Sequence, residues 1–260
     1  MKILFIGDIV GKSGRHAISG LLRNIRKRHE IDLVIANAEN ASGGFGITPK
    51  VVGELLDNDI DLLTSGNHIW DKKEIIEWFD EERHLLRPAN YPLENPGNGS
   101  VVVKTPVGEK VGVLNVQGRV FMNSLDCPFK IAIEEVKKLK EETKVIVIDI
   151  HAEATSEKMA MGWFFNGKVS AVVGTHTHVQ TADEKILPEG TAYITDVGMT
   201  GAMDSVIGMK KEILIERFLT QRPKRFVVAK RNIQLNGVII DIDSQTGKST
   251  GIKRLRMDLV

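Results

Sequence analysis

The chain has 260 residues, 42% apolar and 27% charged, with a net charge of +1 and a single cysteine, Cys127. That length sustains one large α/β core, and the near-neutral balance excludes a global field drawing the protein onto nucleic acid or an anionic membrane. One thiol excludes an internal disulfide and fits a reducing cytoplasm, and no run approaches the roughly 18 apolar residues of a membrane span.

The apolar run Ile3–Ile6 is too short for a signal peptide and reads as a strand leading to Asp8. Ile18, Leu21, Leu22 and Ile25 then recur at i, i+3, i+4 and i+7, one face of a helix. Leu33–Ala38 is the next strand, and Thr48-Pro49 opens a helix with Thr as N-cap and Pro at the first helical position. Asp61–Ser65 is a third strand, and Asp71-Lys72-Lys73-Glu74 has the spacing of a capping box. This alternation predicts a sheet with a parallel part and helices on its faces. Past residue 97, Ser100–Lys104 and Lys110–Val116 flank Pro106-Val107-Gly108 as a hairpin. A helix follows over Pro128–Lys140, with Phe129, Ala132, Ile133, Val136 and Leu139 on one side. Strands at Val145–Ile150, Ala171–Gly174 and Ala192–Thr195 continue the sheet, and the tail segments Phe226–Lys230 and Val238–Ile242 read as antiparallel strands. The pattern predicts two packed mixed sheets with helices outside, a four-layer α/β/β/α sandwich in a single domain over 1–260.

Five strand ends carry metal-ligand chemistry: Asp8, Glu39-Asn40, Gly66-Asn67-His68, Asp149-Ile150-His151 and Gly174-Thr175-His176-Thr177-His178. Open α/β sheets place their chemistry at such an edge, and carboxylates, neutral amides and imidazoles are the donors of a mixed two-metal hydrolytic site. Each residue also has an ordinary reading. Asp8 alone suits a turn, and Gly7 to Ser13 reads as a phosphate loop with one residue too few between its glycines. Glu39 and Asn40 could simply start a polar loop. His68 has two open roles, ligand or proton donor to a leaving oxygen. His176 and His178 at i, i+2 face one side of an extended segment, and with His151 nearby a packing role for all of them is hard to sustain. His16, His29 and His84 sit among charges as surface residues, while Asp71, Asp149 and Asp183 keep capping, supporting or loop roles.

The order Asp, Glu-Asn, Gly-Asn-His, His, Gly-Thr-His-Thr-His resembles the metallophosphoesterase superfamily. Within it, Ile6-Gly7-Asp8-Ile9-Val10-Gly11, Ala38-Glu39-Asn40, Gly66-Asn67-His68-Ile69-Trp70-Asp71 and Asp196-Val197-Gly198-Met199-Thr200-Gly201 are similar to the YmdB family over essentially the whole chain. The chain departs from the broad superfamily where Asp-x-His is expected, since Ile9-Val10 follows Asp8. Glu39 also stands where that superfamily has a bridging Asp. The resemblance implies one metal site of Asp8, Glu39, Asn40 and His178 and a second of Glu39, Asn67, His151 and His176. It further implies a bridging Glu39, His68 as general acid, iron as the metal and 2′,3′-cyclic nucleotides as substrates. From the donors alone, manganese or zinc and any phosphate mono- or diester stay open.

A water acidified between two cations is the expected nucleophile. Thr155 and Ser156 after His151, and Thr200 after another strand, are candidate substrate contacts as readily as they are loop and cap residues. Arg222, Lys224, Arg225, Lys230 and Arg231 form a basic cluster whose only aromatic neighbour is Phe226, the composition of a solvated strand face rather than an RNA platform. Competing readings are a phosphomonoesterase acting on nucleotides and a metal-dependent nucleotide sensor. The expected partner is a small phosphodiester or nucleotide in the cytoplasm, with no membrane role and with the oligomeric state open, a homo-oligomer included.

Overall fold

The computed structural model describes residues 1–259. Its first elements are β1 (Lys2–Ile6), β2 (Asp8–Ile9), α1 (Gly11–His29), β3 (Leu33–Asn37), α2 (Pro49–Leu56), β4 (Leu62–Thr64) and α3 (Lys73–Trp78). There follow β5 (Ser100–Lys104), β6 (Lys110–Gln117), α4 (Pro128–Lys140), β7 (Ile146–His151), α5 (Thr155–Phe164) and β8 (Ala171–Thr175). The last part holds β9 (Lys185–Ile186), β10 (Ala192–Ile194), β11 (Met199–Ala202), α6 (Lys211–Thr220), β12 (Ile233–Ile242) and β13 (Ser249–Asp258).

In one sheet β1, β3 and β4 are parallel, and β12 pairs antiparallel with β1, β11 and β13. The other sheet has β6, β7, β8 and β10 parallel, with β5 and β9 antiparallel at its edges. Strand periodicity sorts the apolar residues into layers. Ile3 and Phe5 of β1, Leu33 and Ile35 of β3, and Val147 of β7 join the layer between the sheets. Their neighbours Leu4, Ile6, Val34 and Ala36 face outward onto Ile18, Leu22 and Ile25 of α1 and Val52 and Leu55 of α2. On the other sheet, Ile146, Ile148 and Ile150 face Ala132, Val136 and Leu139 of α4 and Met161 of α5. The four-layer sandwich is therefore a consequence of strands that are apolar on both faces. Each fully buried side chain of this size contributes about 1.5–3 kcal/mol.

Toward the carboxyl ends of β3, β4, β7 and β8 the inter-sheet layer turns polar, through Asn37, Thr64, Asp149 and Thr175, all without exposed surface. That transition positions the site.

Several local expectations are corrected. Phe226–Lys230 is not a strand: Val228 makes one bridge to Met209, whose own segment is a tight turn closed by Val206 and Met209, so no ladder can extend. The Asp71 capping box does not form, because α3 starts at Lys73 after Lys72 and the Asp71 carboxylate is engaged by His68. Thr48 does precede Pro49 at the start of α2, but its side chain makes no capping hydrogen bond. Helix α5 begins where Thr155 and Ser156 were read as loop or cap residues, and helix α6 and strand β13 were not read from the sequence. In β13 the basic residues Lys253, Arg254 and Arg256 mask the strand, which exists through its long antiparallel pairing with β12. His16 and His84 are exposed and His29 is half-buried, away from the strand ends.

Candidate metal centre

β7 ends in His151, which has no exposed surface. Around its Nε2 stand Glu39 Oε1, Asn67 Oδ1 and His176 Nδ1, each 3.1 Å away. Metal bonds of about 2.0–2.2 Å place adjacent ligand atoms roughly 3 Å apart, so this spacing fits side chains that could share a cation. Ligand atoms of Glu39, His151 and His176 all lie within 4.8 Å of one another. Asp8 and His178 flank this group. Asp8 Oδ1 is 3.7 Å from His178 Nε2, buried, and without a hydrogen-bond partner among the described residues. Leaving an ionised oxygen so placed costs on the order of several kcal/mol, and a bound cation removes that cost. Asn40 Nδ2 lies 3.1 Å from Glu39 Oε1 and 3.2 Å from His178 Nε2, and turning the amide by 180° sets its oxygen in that place. The donors fit metal ions.

Glycines make the convergence possible. A Cβ on Gly66 would lie 2.1 Å from His151 Cδ2 and 2.5 Å from Glu39 Oε2. A Cβ on Gly7 would lie 1.9 Å from the Gly198 carbonyl oxygen, which accepts the Asp8 N–H at 3.0 Å. The expectation that His176 and His178 share an extended segment is corrected. β8 stops at Thr175, and the two histidines have φ of +102° and +65°, so their rings diverge. His176 turns to His151 and Glu153, and His178 to Asp8 and Asn40. Such backbone is costly for non-glycine residues and needs an external hold. Asp196 supplies it: Oδ2 accepts the Thr177 N–H at 3.0 Å and the Thr177 hydroxyl at 2.8 Å, and is itself paired with the buried Lys158 ammonium at 2.6 Å.

Each histidine has one nitrogen tied outward, which frees the other for the centre. The Thr175 hydroxyl donates to Asp149 Oδ1 at 2.7 Å, so its lone pair accepts from His151 Nδ1 at 2.9 Å. His178 Nδ1 donates to the Ile207 carbonyl at 3.0 Å, and Ile207 holds φ +48°, a rare conformation for a β-branched residue. His176 Nε2 meets Glu153 Oε2 at 3.1 Å.

Burial opposes charge throughout, and neighbouring groups decide the outcome. It works against ionisation of Glu39, yet His151 and His68 outweigh it and bring the carboxyl down to about 2. Burial likewise opposes protonation of His151, but Glu39 and Asp8 lift it to about 9. His176 is pushed down to about 3 by burial and the adjacent His151 charge. Asp8 is raised by burial despite His178 and His151, and burial lifts Asp149 to about 6.

A cavity of about 310 Å³ opens over these groups, lined in part by Glu39, Asn40, His68, Glu153, His176 and His178. His68 Nδ1 is held by Asp71 Oδ2 at 2.8 Å, which leaves Nε2 for the cavity. Asp71 kept a supporting role among its sequence readings, and in the structure its carboxylate meets His68 Nδ1; Glu153, Asp196 and the Ile207 carbonyl were not singled out. Only His68-x-x-Asp71, an i, i+3 pair, left a sequence signal. Of the weaker candidates, Thr155 and Ser156 are exposed in the first turn of α5 and do not line the cavity. Thr200 is fully buried in β11, its hydroxyl donating to the Asn236 carbonyl at 3.2 Å. In the basic cluster, Lys224 pairs with Glu216 at 2.7 Å.

Two helix-clad mixed sheets with this donor set at the ends of their parallel strands define the metallophosphoesterase architecture. The chain belongs to the YmdB-like protein family, whose model matches residues 4–255. It is 50% identical to the 2′,3′-cyclic-nucleotide 2′-phosphodiesterase of Bacillus subtilis (strain 168), over 98% of this chain and 96% of that protein. The crystal structure of a hypothetical protein from Thermus thermophilus superposes with a TM-score of 0.93 at 40% identity, covering 99% of both chains. That of a novel phosphatase from Mycoplasma pneumoniae gives 0.93 at 36% identity, covering 99% of this chain and 93% of the other.

Gly66→Ala is expected to destabilise the fold by about 1–3 kcal/mol and to lose bound metal, as read by chemical denaturation and elemental analysis. A folded variant with wild-type metal content would show that His151 and Glu39 do not need that space. The raised His151 pKa sets a pH dependence. Below about 9 the imidazole carries a proton that a cation must displace, so metal affinity should rise with pH towards 9 and fall in acid. Calorimetric titration with Mn²⁺ in buffers of different ionisation enthalpy should detect the released proton, and uptake at pH 7 with no release contradicts the assignment.

Proposed function

We propose that this chain is a two-metal phosphodiesterase that hydrolyses 2′,3′-cyclic nucleotides such as 2′,3′-cAMP to nucleoside 3′-phosphates. The observation that carries the reading is the ring of Glu39, Asn67 and His176 donor atoms at 3.1 Å from His151 Nε2. The substrate class rests on the Bacillus subtilis relative, half of whose residues this chain shares. Asp8, Glu39, Asn40 and His178 would hold one cation and Glu39, Asn67, His151 and His176 the other, with Glu39 common to both. The nitrogen and oxygen donors suit iron, manganese or zinc, and iron is the occupant that the family resemblance implies. When bound, the cations supply positive charge that polarises the phosphoryl group and acidifies water.

The protein's own groups do the rest. Water adds to phosphorus, the bond from phosphorus to O2′ breaks, and the departing alkoxide needs a proton. His68 supplies it from Nε2, while Asp71 on Nδ1 orients the ring. Phe45 packs its ring against His68 at 5.0 Å and 69°, which limits the swing of the acid. Among the described residues no helix is long and apolar enough to cross a membrane. With one free thiol, Cys127, this supports a cytoplasmic enzyme acting on a small dissolved substrate.

Metal-loaded protein incubated with 2′,3′-cAMP, bis-p-nitrophenyl phosphate and p-nitrophenyl phosphate should favour the diesters. Preference for the monoester would replace the reading with a phosphatase, and binding without turnover would replace it with a sensor. Glu39→Ala should lose both metals by elemental analysis, whereas Asp8→Ala should lose one, because only Glu39 serves both positions. Two metals retained in Glu39→Ala would refute the bridge. His68→Ala should keep both metals and lose about two to four orders of magnitude in turnover on 2′,3′-cAMP. The loss should be much smaller on bis-p-nitrophenyl phosphate, whose leaving group needs little protonation. Equal fractional losses on the two substrates would sink the general-acid role.

A further inference from the structure

The cavity over the centre has two kinds of lining. Beside the carboxylates and imidazoles it is lined by Phe45, Ile207, Met209 and Phe226, whose side chains carry no charge and no strong hydrogen-bonding group. Phe45 and Phe226 form a near-parallel pair, centroids 5.9 Å apart at 23°, and the Arg217 guanidinium lies 4.8 Å from the Phe226 ring centre. Both rings are only half-buried, and Ile207 keeps 49% of its surface exposed. Ile207 also holds its unusual positive φ while its carbonyl accepts from His178 Nδ1, so one strained residue joins the apolar lining to the imidazoles. Leaving apolar surface open to water beside a polar centre is unfavourable unless an occupant covers it.

We propose that Phe45, Ile207, Met209 and Phe226 form the subsite for the nucleobase, so that the enzyme recognises a cyclic nucleotide by its base as well as by its phosphate. The proposal rests on the cyclic-nucleotide reading above. In such a substrate the phosphate is fused to the ribose and the base sits on the next ring carbon. A phosphate held against Glu39, His68 and His178 therefore brings the base to the neighbouring wall. These four side chains carry no strong hydrogen-bond donor or acceptor to read a base edge, so selection follows stacking and buried area. Purines are preferred over pyrimidines, with little distinction between adenine and guanine.

The test compares kcat/KM of Mn²⁺-loaded protein on 2′,3′-cAMP, 2′,3′-cGMP, 2′,3′-cUMP and glycerol 1,2-cyclic phosphate, which keeps the cyclic diester and lacks the base. The expected ratio of 2′,3′-cAMP to the glycerol ester is about ten- to hundredfold. Phe226→Ala should collapse it mainly through KM, and Phe226→Trp should preserve it. If circular dichroism shows Phe226→Ala unfolded, Phe226→Leu makes the same comparison. A wild-type ratio near one, a ratio unchanged in the folded variant, or 2′,3′-cUMP turned over as well as the purines overturns the subsite. Saturation-transfer NMR of adenosine with metal-free protein separates the two claims. Adenosine bound by wild type and lost in Phe226→Ala, with no cyclic phosphate hydrolysed, keeps the base subsite and removes the phosphodiesterase reading. Neither binding nor hydrolysis removes both.

Discussion

The structure turns on the burial of negative charge at one end of an apolar sandwich. Asp8, Glu39, Asp149 and Asp196 have no exposed surface, and they gather where the layer between the sheets changes from Ile35 and Val147 to Asn37 and Asp149. Such carboxylates persist only if each finds a proton, donors or a cation. Asp149 takes hydroxyl donors: Thr64 at 2.6 Å and Thr175 at 2.7 Å, with the Asn37 amide at 3.3 Å. Glu39 takes the His151 imidazolium and the His68 N–H. Asp8 has one oxygen on the His176 N–H at 3.2 Å and the other unserved. The unmet demand is local, and it faces the cavity.

Meeting these demands requires backbone that an ordinary chain avoids. His176, His178 and Ile207 all have positive φ, and all three lie in the two loops that wrap the centre. Each such residue costs about 1–3 kcal/mol, which the sandwich can bear because its three main apolar clusters are independent of these loops. Rigid strands deliver Asp8 and His151, whereas strained turns deliver His176 and His178. The division matters chemically, since a strand fixes direction to alternate faces and a bent loop can aim adjacent rings at different targets.

Strand patterns were legible where both faces of the strand are buried in apolar layers, and helix α4 where one periodic apolar face packs on the sheet. Ile3–Ile6, Leu33–Ala38 and Val145–Ile150 all appear as strands within a residue or two, and Pro128–Lys140 is α4. The α5 and α6 helices were missed because their apolar faces are interrupted, with Lys158 buried in one and Ile215 and Phe218 exposed on the other. Of the proposed ligands, every member lies at the cavity or against its floor, since the donor types and the strand-end positions are both written in the sequence. What holds them was illegible for a different reason. Asp196 and Thr177, or Ile207 and His178, are remote in sequence and joined only by tertiary closure. The apolar wall was hidden too, because Phe45 and Phe226 come from separate loops that only tertiary closure brings together.

Asp8 and Asp196 show how the protein sorts equivalent carboxylates into different work. Both are fully buried, and both bear on the same loop, Asp8 through the His176 N–H and Asp196 through Thr177. Asp196 is matched by the Lys158 ammonium, a fixed cation with no exposed surface, and its other oxygen accepts the Gly198 N–H at 2.8 Å. Its charge is answered within the fold, so it has little left to offer a metal and acts as a clamp. Asp8 and Glu39 are instead surrounded by imidazoles, side chains that serve as neutral metal donors. A histidine that exchanges its proton for a cation keeps the pocket neutralised in either state, which a lysine in the same place could not do. Placing lysine behind the loop and histidine in front of it is therefore what separates the scaffold's charge from the centre's.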